Sequence, residues 1–271
     1  MDKKIAVVGC GNMGGAIAKG LVQSRYSSAE SIVCCDSDQS KLEILQRQLS
    51  VRSVRQISAL SDECEIVIVA VKPQIVRAVI EQLSVNYKKG KEVLIISVAA
   101  GVKLATIRSF AQDAPNFRYV RVMPNIACVY ASGITALYSE DLNSLLIAES
   151  ILITVGSTVR MEQESDLDIA TALSASGPGF MFALIEAFAQ GGVQLGLSAT
   201  LSLELTAKMV YGAAQMLIQS GEQPSILRDR VATPGGTTVA GLQVIEQAGV
   251  REALINALEA ATKRAREISQ S

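Results

Sequence analysis

An apolar run, Lys4-Ile5-Ala6-Val7-Val8, passes directly into Gly9-Cys10-Gly11-Asn12-Met13-Gly14 and on into a stretch carrying Ala16, Ile17 and Leu21 at helical spacing. A G-x-G-x-x-G turn between a strand and a helix constrains this chain more than any other feature. Gly9 permits a tight exit from the strand, Gly11 has no Cβ to obstruct a pyrophosphate, and Gly14 allows helix and strand to pack closely. The helix start aims its amide N–H groups and the positive end of its dipole at the same spot. A dinucleotide is the expected ligand, held by Val8, Gly9, Cys10, Gly11, Asn12, Met13 and Gly14. The alternative is a glycine turn whose role is purely structural.

The pattern continues for about 160 residues. Strand-like runs at 5–8, 31–35, 66–71, 93–98, 119–123, 133–138 and 157–161 alternate with helix-like runs at 12–24, 39–49, 74–84, 103–112 and 141–155. Such alternation marks an α/β fold with a Rossmann-type doubly wound parallel sheet. From residue 164 the strand signal disappears, and long helices are expected, broken at Gly191-Gly192, Gly196, Gly221 to Pro224, Pro234-Gly235-Gly236 and Gly249. The expected domains are therefore 1–163, binding a dinucleotide, and 164–271, all helical. In the second, the segment 199–219 carries Leu201, Leu203, Leu205, Met209, Val210, Met216 and Leu217 around most of its circumference. A helix so widely apolar needs a large core or a neighbouring chain, so a homodimer with intertwined helices is expected. Burial within its own chain is the alternative.

Composition excludes several classes of function. The 25 basic and 26 acidic residues form no run of like charge, which gives nucleic acid and anionic membranes no electrostatic foothold. No uninterrupted apolar stretch of about 18 residues is present, and the start lacks signal-peptide sections, so a cytoplasmic protein without membrane partners is expected. The five cysteines (Cys10, Cys34, Cys35, Cys64, Cys128) contain no C-x-x-C pair and read as reduced core residues. There is no histidine. Its absence removes Ser-His-Asp and Cys-His hydrolysis and the usual zinc sites, and no metal site is expected.

Further candidates lie at the strand ends, where ligands bind in open α/β sheets. Asp36 follows the second strand at the distance where a carboxylate bonds the adenosine ribose hydroxyls. This favours NADH over NADPH, whose 2′-phosphate it would repel, although Ser37, Ser40 and Lys41 lie nearby; helix capping is its alternative role. Ala70-Val71-Lys72-Pro73 ends the third strand, with Lys72 suited to phosphate or ribose. Ala99-Ala100-Gly101 ends the fourth with side chains small enough to admit a nicotinamide ring, and Asn125 ends the fifth within reach of a carboxamide or substrate. In the second half, Leu173-Ser174-Ala175-Ser176-Gly177-Pro178-Gly179 reads as a turn opening an apolar helix. Ala232-Thr233-Pro234-Gly235-Gly236-Thr237-Thr238 opens another, pointing successive N–H groups and two hydroxyls at one place, which suits a small carboxylate.

Taken in order, Gly9 to Gly14, Ala70-Val71-Lys72-Pro73-Gln74, Ile96 to Gly101, Val120-Arg121-Val122-Met123-Pro124-Asn125, Ser174-Ala175-Ser176-Gly177-Pro178 and Pro234 to Leu242 give a chain that resembles the pyrroline-5-carboxylate reductases over essentially its full length. Glu259 to Arg264 agrees too. The resemblance implies a Rossmann domain followed by a helical dimerisation domain, NAD(P)H as hydride donor, and dimers that assemble further into decamers. It implies that Thr238 is the catalytic residue, bonding the ring nitrogen, that the backbone of Gly236, Thr237 and Thr238 holds the carboxylate, and that Glu164 and Ser176 line the substrate pocket.

Three departures stand out. No asparagine occurs near Ile57-Ser58 to touch the adenosine, Asp36 replaces the small polar residue of NADP-preferring members, and Gly179-Phe180 replaces the common Ala-Tyr. Two other readings remain open at this point. A β-hydroxyacid dehydrogenase would need Lys208 as its lysine, without the asparagine neighbour that chemistry wants; a nucleotide-sensing protein would keep the fold and lack turnover.

Overall fold

Short runs of β-branched residues with no polar face form strands buried on both sides, and helices cover both faces of the resulting sheet. The computed structural model describes residues 3–60, 62–87, 90–111 and 116–270. Its eight strands are β1 (Ile5–Val8), β2 (Ile32–Cys35), β3 (Arg52–Val54), β4 (Ile66–Val69), β5 (Val93–Ser97), β6 (Phe117–Pro124), β7 (Gly133–Tyr138) and β8 (Gly156–Arg160), in the order β3-β2-β1-β4-β5-β6-β7-β8. Helices α1 (Asn12–Gln23), α2 (Gln39–Leu49), α3 (Pro73–Asn86), α4 (Leu104–Phe110) and α5 (Leu142–Leu152) connect them.

Alternate residues of each strand feed two cores. Ile5 and Val7 pack with Ile17 and Leu21 of α1, Leu42 of α2 and Leu145 of α5. Ala6 and Val8 pack on the other face with Val76, Ile80 and Leu83 of α3 and Leu104 and Ile107 of α4. Each fully buried aliphatic side chain contributes about 1.5–3 kcal/mol, so the two layers hold the sheet without disulfides. All five cysteines are free and buried in these layers. Strand order reverses beside β1, with β2 on one side and β4 on the other, and the glycine turn lies at that switch point.

The structure departs from the sequence reading at four places. β7 runs antiparallel to β6, because the link through the 3₁₀ turn Ile126–Tyr130 is too short for a crossover; β8 then pairs parallel with β7 after the α5 crossover. β3 was not expected, since Arg52-Ser53-Val54 is short, polar and at the sheet edge. Gly191-Gly192 breaks nothing: α7 (Gly177–Gln194) continues through it, and a Cβ on Gly192 would stand 2.1 Å from Ser202 Oγ. Gly192 allows α8 (Ala199–Ser220) to approach; the chain reverses instead at Gly196, φ +105°. Nor is 173–176 an opening turn. Residues Asp166–Ala170 form α6, and Thr171–Ser176 follow as a π-helical turn just before Pro178, whose missing N–H and ring disfavour a regular α-turn there.

The remaining helices are α9 (Pro224–Val231), α10 (Thr237–Gln247) and α11 (Val250–Gln270). The chain divides into two compact units, residues 1–176 with 261–271, and residues 177–260. Segment 164–176 and the chain's last turns thus pack with the sheet, Leu167 and Ala265 being buried there.

Candidate active site

In the first unit, Gly9 leaves β1 at φ +92° and donates its N–H to the Cys35 carbonyl at 2.8 Å. A Cβ on Gly9 would lie 2.5 Å from the Ala70 carbonyl oxygen, and one on Gly14 would lie 1.9 Å from that of Gly9. The glycines are therefore required by the protein's own backbone. Gly11 differs: a Cβ there meets nothing within 4 Å, so its bare surface faces open space at the N-cap of α1, which has no side-chain cap. Asn12 and Met13 form the first turn of that helix.

Asp36 ties this turn to β2. Its Oδ2 accepts the Cys10 N–H at 2.7 Å and lies 3.7 Å from Lys41 Nζ, while Oδ1 accepts the Asp38 N–H at 2.9 Å. It does not cap α2; Asp38 does, accepting from Ser40 N at 3.0 Å. Beside Asp36 opens a cavity of about 430 Å³ with Ile57, Val71, Ile75 and Val79 as apolar walls and Arg55 and Ser37 at its polar side. Its size and apolar walls suit an adenosine. A hydrogen bond to Cys34 and burial hold the Cys10 thiol well above the usual range, and burial and the Asp36 charge push Cys35 up to about 11. Both stay protonated.

Other strand ends converge on the same edge of the sheet. Ala70 N–H bonds to Val8 O at 2.7 Å, and Lys72, exposed, stands at the N-cap position of α3 ahead of Pro73 without a capping bond from its side chain. Ala99 N–H faces Ser97 Oγ at 3.4 Å, and Gly101 turns at φ +77°. Asn125 spends its Oδ1 on the Ile134 N–H at 3.3 Å, bracing β7, and its Nδ2 has no protein partner among the described residues. Glu164 is engaged within the unit: Oε1 accepts the Leu104 N–H at 2.7 Å and pairs with Arg121 Nη1 at 3.2 Å. Ser176 ends the π-turn.

In the second unit, Gly235 (φ +72°) and Gly236 shape the entry to α10. Gly236 is the N-cap and carries no side chain, so the first-turn amides of Thr237, Thr238 and Val239 have no capping group. A Cβ on Gly236 would stand 2.5 Å from Thr233 Oγ1, which fixes how tightly this bend closes. Thr238 is half-buried and Thr237 exposed. Lys208 is exposed and paired with Glu204 at 2.5 Å, an i,i+4 surface pair.

Comparison with known proteins bears on the whole chain. A family model described as pyrroline-5-carboxylate reductase dimerisation matches residues 164–268, and one described as NADP oxidoreductase, coenzyme F420-dependent, matches residues 4–101. The pyrroline-5-carboxylate reductase of Methanosarcina acetivorans is 37% identical over 99% of both chains, and that of Arabidopsis thaliana is 35% identical over 99% of this chain and 96% of its own. The chain belongs to the pyrroline-5-carboxylate reductase family. It is an NAD(P)H-dependent oxidoreductase with an N-terminal Rossmann-type domain and a C-terminal dimerisation domain. The fold agrees: the pyrroline-5-carboxylate reductase of Coxiella burnetii superposes with a TM-score of 0.91 at 32% identity over all of both chains, and the Plasmodium falciparum pyrroline carboxylate reductase, solved with NADP bound, with 0.85 at 25% over 98% of each.

The roles of two arginines went unrecognised in the sequence. Arg121, only 1% exposed, pairs with Asp168 at 3.4 Å as well as with Glu164. Its signal was available, since an arginine within the strand Tyr119-Val120-Arg121-Val122-Met123 must find buried partners. Arg55 at the adenosine-sized cavity had no such signal, because nothing in the sequence marks the short edge strand that carries it there.

Proposed function

We propose that this chain reduces 1-pyrroline-5-carboxylate to L-proline, taking the hydride from NAD(P)H. The observation that carries this reading is the Gly236 entry to α10, where uncapped amides and the Thr238 hydroxyl share one turn in a chain without histidine. That turn suits a carboxylate beside a ring nitrogen, and a cyclic imine asks for little more: once its nitrogen is protonated, the C=N carbon is already electrophilic. When bound, the nicotinamide supplies the hydride. Gly236, Thr237 and Thr238 hold the carboxylate, Thr238 orients the nitrogen and relays its proton, and Ser176 and Glu164 border the pocket. On the cofactor's side, Val8, the turn 9–14 and Asp36 hold the adenosine half. Ala70, Val71, Lys72, Pro73, the loop 99–101 and Asn125 hold the rest.

The functional division in this reading lies at 163/164, the second part serving dimerisation and substrate while its segments 164–176 and 261–271 pack with the first unit. Leu203, Leu205 and Met209 of α8 are about half exposed in the single chain, and the stretch Asp166–Gln194 is long and apolar enough to cross a membrane by length and composition, yet α7 within it has no buried residue. A second copy covers this surface in our reading, and such dimers assemble into a decamer in the cytoplasm.

The test follows NAD(P)H absorbance with pyrroline-5-carboxylate, and separately with a 3-hydroxy acid plus NAD(P)⁺. Turnover is expected in the first arm alone. The second would demand a lysine at the reacting centre, whereas Lys208 is paired on the surface. Nucleotide binding without turnover in either arm would identify a sensing protein and overturn the proposal.

Asp36 favours NADH over NADPH in this reading, because its carboxylate borders the adenosine-sized cavity and would repel a 2′-phosphate bound there. Asp36→Ser is expected to raise the NADPH to NADH ratio of kcat/KM by roughly 10-fold, since a like-charge contact is removed. Losing the bond to Cys10 N–H weakens both cofactors alike, so the ratio is the quantity to read. A ratio unchanged from wild type removes Asp36 from cofactor choice.

A further inference from the structure

The loop Ala99-Ala100-Gly101 carries nothing heavier than a methyl group, yet it is held from three sides. Ala100 packs against the cluster of Met123, Ala136, Leu167 and Ala170. A Cβ on Gly101 would fall 2.6 Å from Ile268 Cγ2 and 3.2 Å from Ile268 backbone atoms, so the end of α11 rests directly on the loop. Just downstream, the Leu104 N–H is taken by Glu164 Oε1 at 2.7 Å. Arg121 binds these supports together: Nη1 reaches Glu164 Oε1 at 3.2 Å, Nη2 reaches Asp168 Oδ1 at 3.4 Å, and Ser269 Oγ, on the same last turn as Ile268, donates to that Asp168 oxygen at 2.8 Å.

We infer that Arg121 is a positioning residue: acting through Glu164 and Asp168, it locks the loop 99–101 against the chain's C-terminal turn and so fixes the seat of the cofactor's nicotinamide end. The inference rests on the reading, given above, that this loop receives the nicotinamide. Stability is a weak account of such a group. Burying one guanidinium with two carboxylates costs several kcal/mol of desolvation, which apolar side chains of equal volume avoid, and here Arg121 Nε is also buried without a partner among the described residues. Placement of a reacting ring is a better one, because hydride transfer tolerates little error in position. Arg121 and its partners join α4, α6, β6 and the end of α11, elements distant in sequence, around the one loop whose small side chains admit a ring.

The test uses the full-length chain and two variants, Asp168→Asn and Ser269→Ala, with NADH and with ADP-ribose, which lacks only the nicotinamide. In Asp168→Asn, kcat is expected to fall about 10- to 100-fold, the scale on which small misplacements act. In Ser269→Ala, at the half-buried chain end where folding is not threatened, the fall is about 2- to 10-fold, the scale of one typical hydrogen bond. NADH affinity, read by its fluorescence, drops in both variants, while ADP-ribose affinity stays at the wild-type value. A merely structural network would weaken both ligands in step, and that result overturns the inference. Ala100→Val separates the two layers of argument. If it impairs NADH turnover while both other variants behave as wild type, the positioning role alone fails; if it does not impair turnover, the reading of the loop fails and takes the inference with it.

Discussion

Gly14→Ala is expected to abolish NAD(P)H binding and to lower the unfolding free energy by about 3 kcal/mol, the upper part of the range for overpacking. The added carbon would sit 1.9 Å from the Gly9 carbonyl oxygen, 3.1 Å from its carbonyl carbon and 3.2 Å from Ala70 Cβ. The closest of these is backbone, so no rotamer change relieves the contact. Either α1 withdraws from the sheet, exposing Ile17 and Leu21, or the turn unwinds and its amides no longer converge. Gly11→Ala supplies the contrast. Its Cβ meets no protein atom, so the folded chain accommodates it, and the entire loss falls on the pyrophosphate that would occupy that space. Thermal unfolding followed by NADH titration tells the two apart: Gly14→Ala loses both stability and binding, Gly11→Ala binding alone. Wild-type affinity in Gly11→Ala would mean that the cofactor does not cross this turn.

That contrast also explains what could be read from residues alone. The spacing of Gly9, Gly11 and Gly14 carries a local geometric demand, and strands such as Ile66–Val69 are apolar throughout because both faces are buried; signals of this kind survive in a linear string. The resemblance of six ordered motifs supplied the family and the roles expected of Thr238 and Glu164, which periodicity could not. Other features depend on what comes near in space. Gly191-Gly192 reads as a helix break because glycine has poor helix propensity, but the backbone there is helical and the missing side chain of Gly192 makes room for Ser202. The reversal of β7 follows from a short connection whose 3₁₀ turn has no strong sequence mark. Asp36 is legible as the residue that ends the second strand, yet its bond to the Cys10 amide belongs to the fold between β1 and β2 and is invisible in either strand alone. Likewise Asp168 and Ser269 lie 101 positions apart and meet only because the chain's end returns to the sheet.

Thr238→Ala is expected to reduce kcat roughly 10- to 1000-fold, as deletions of a single transition-state donor do elsewhere. The substitution keeps what the backbone provides. Alanine suits the first turn of α10, Gly235 and Gly236 still shape its entry, and the amides of Thr237 and Val239 remain available, so carboxylate binding persists and KM changes little. What disappears, in the proposed reading, is the hydroxyl that aligns the ring nitrogen and relays to it the proton it carries when hydride reaches carbon. The loss therefore belongs to the transition state more than to the bound substrate, and kcat and kcat/KM should fall together. Thr238→Ser is the control, because it restores the hydroxyl without the methyl group and should recover most of the turnover. Steady-state kinetics of the three proteins with pyrroline-5-carboxylate decide the matter. If the alanine variant turns over at the wild-type rate, the catalytic hydroxyl lies elsewhere; if KM alone rises, Thr238 serves only to hold the carboxylate, and proton relay must come from another group.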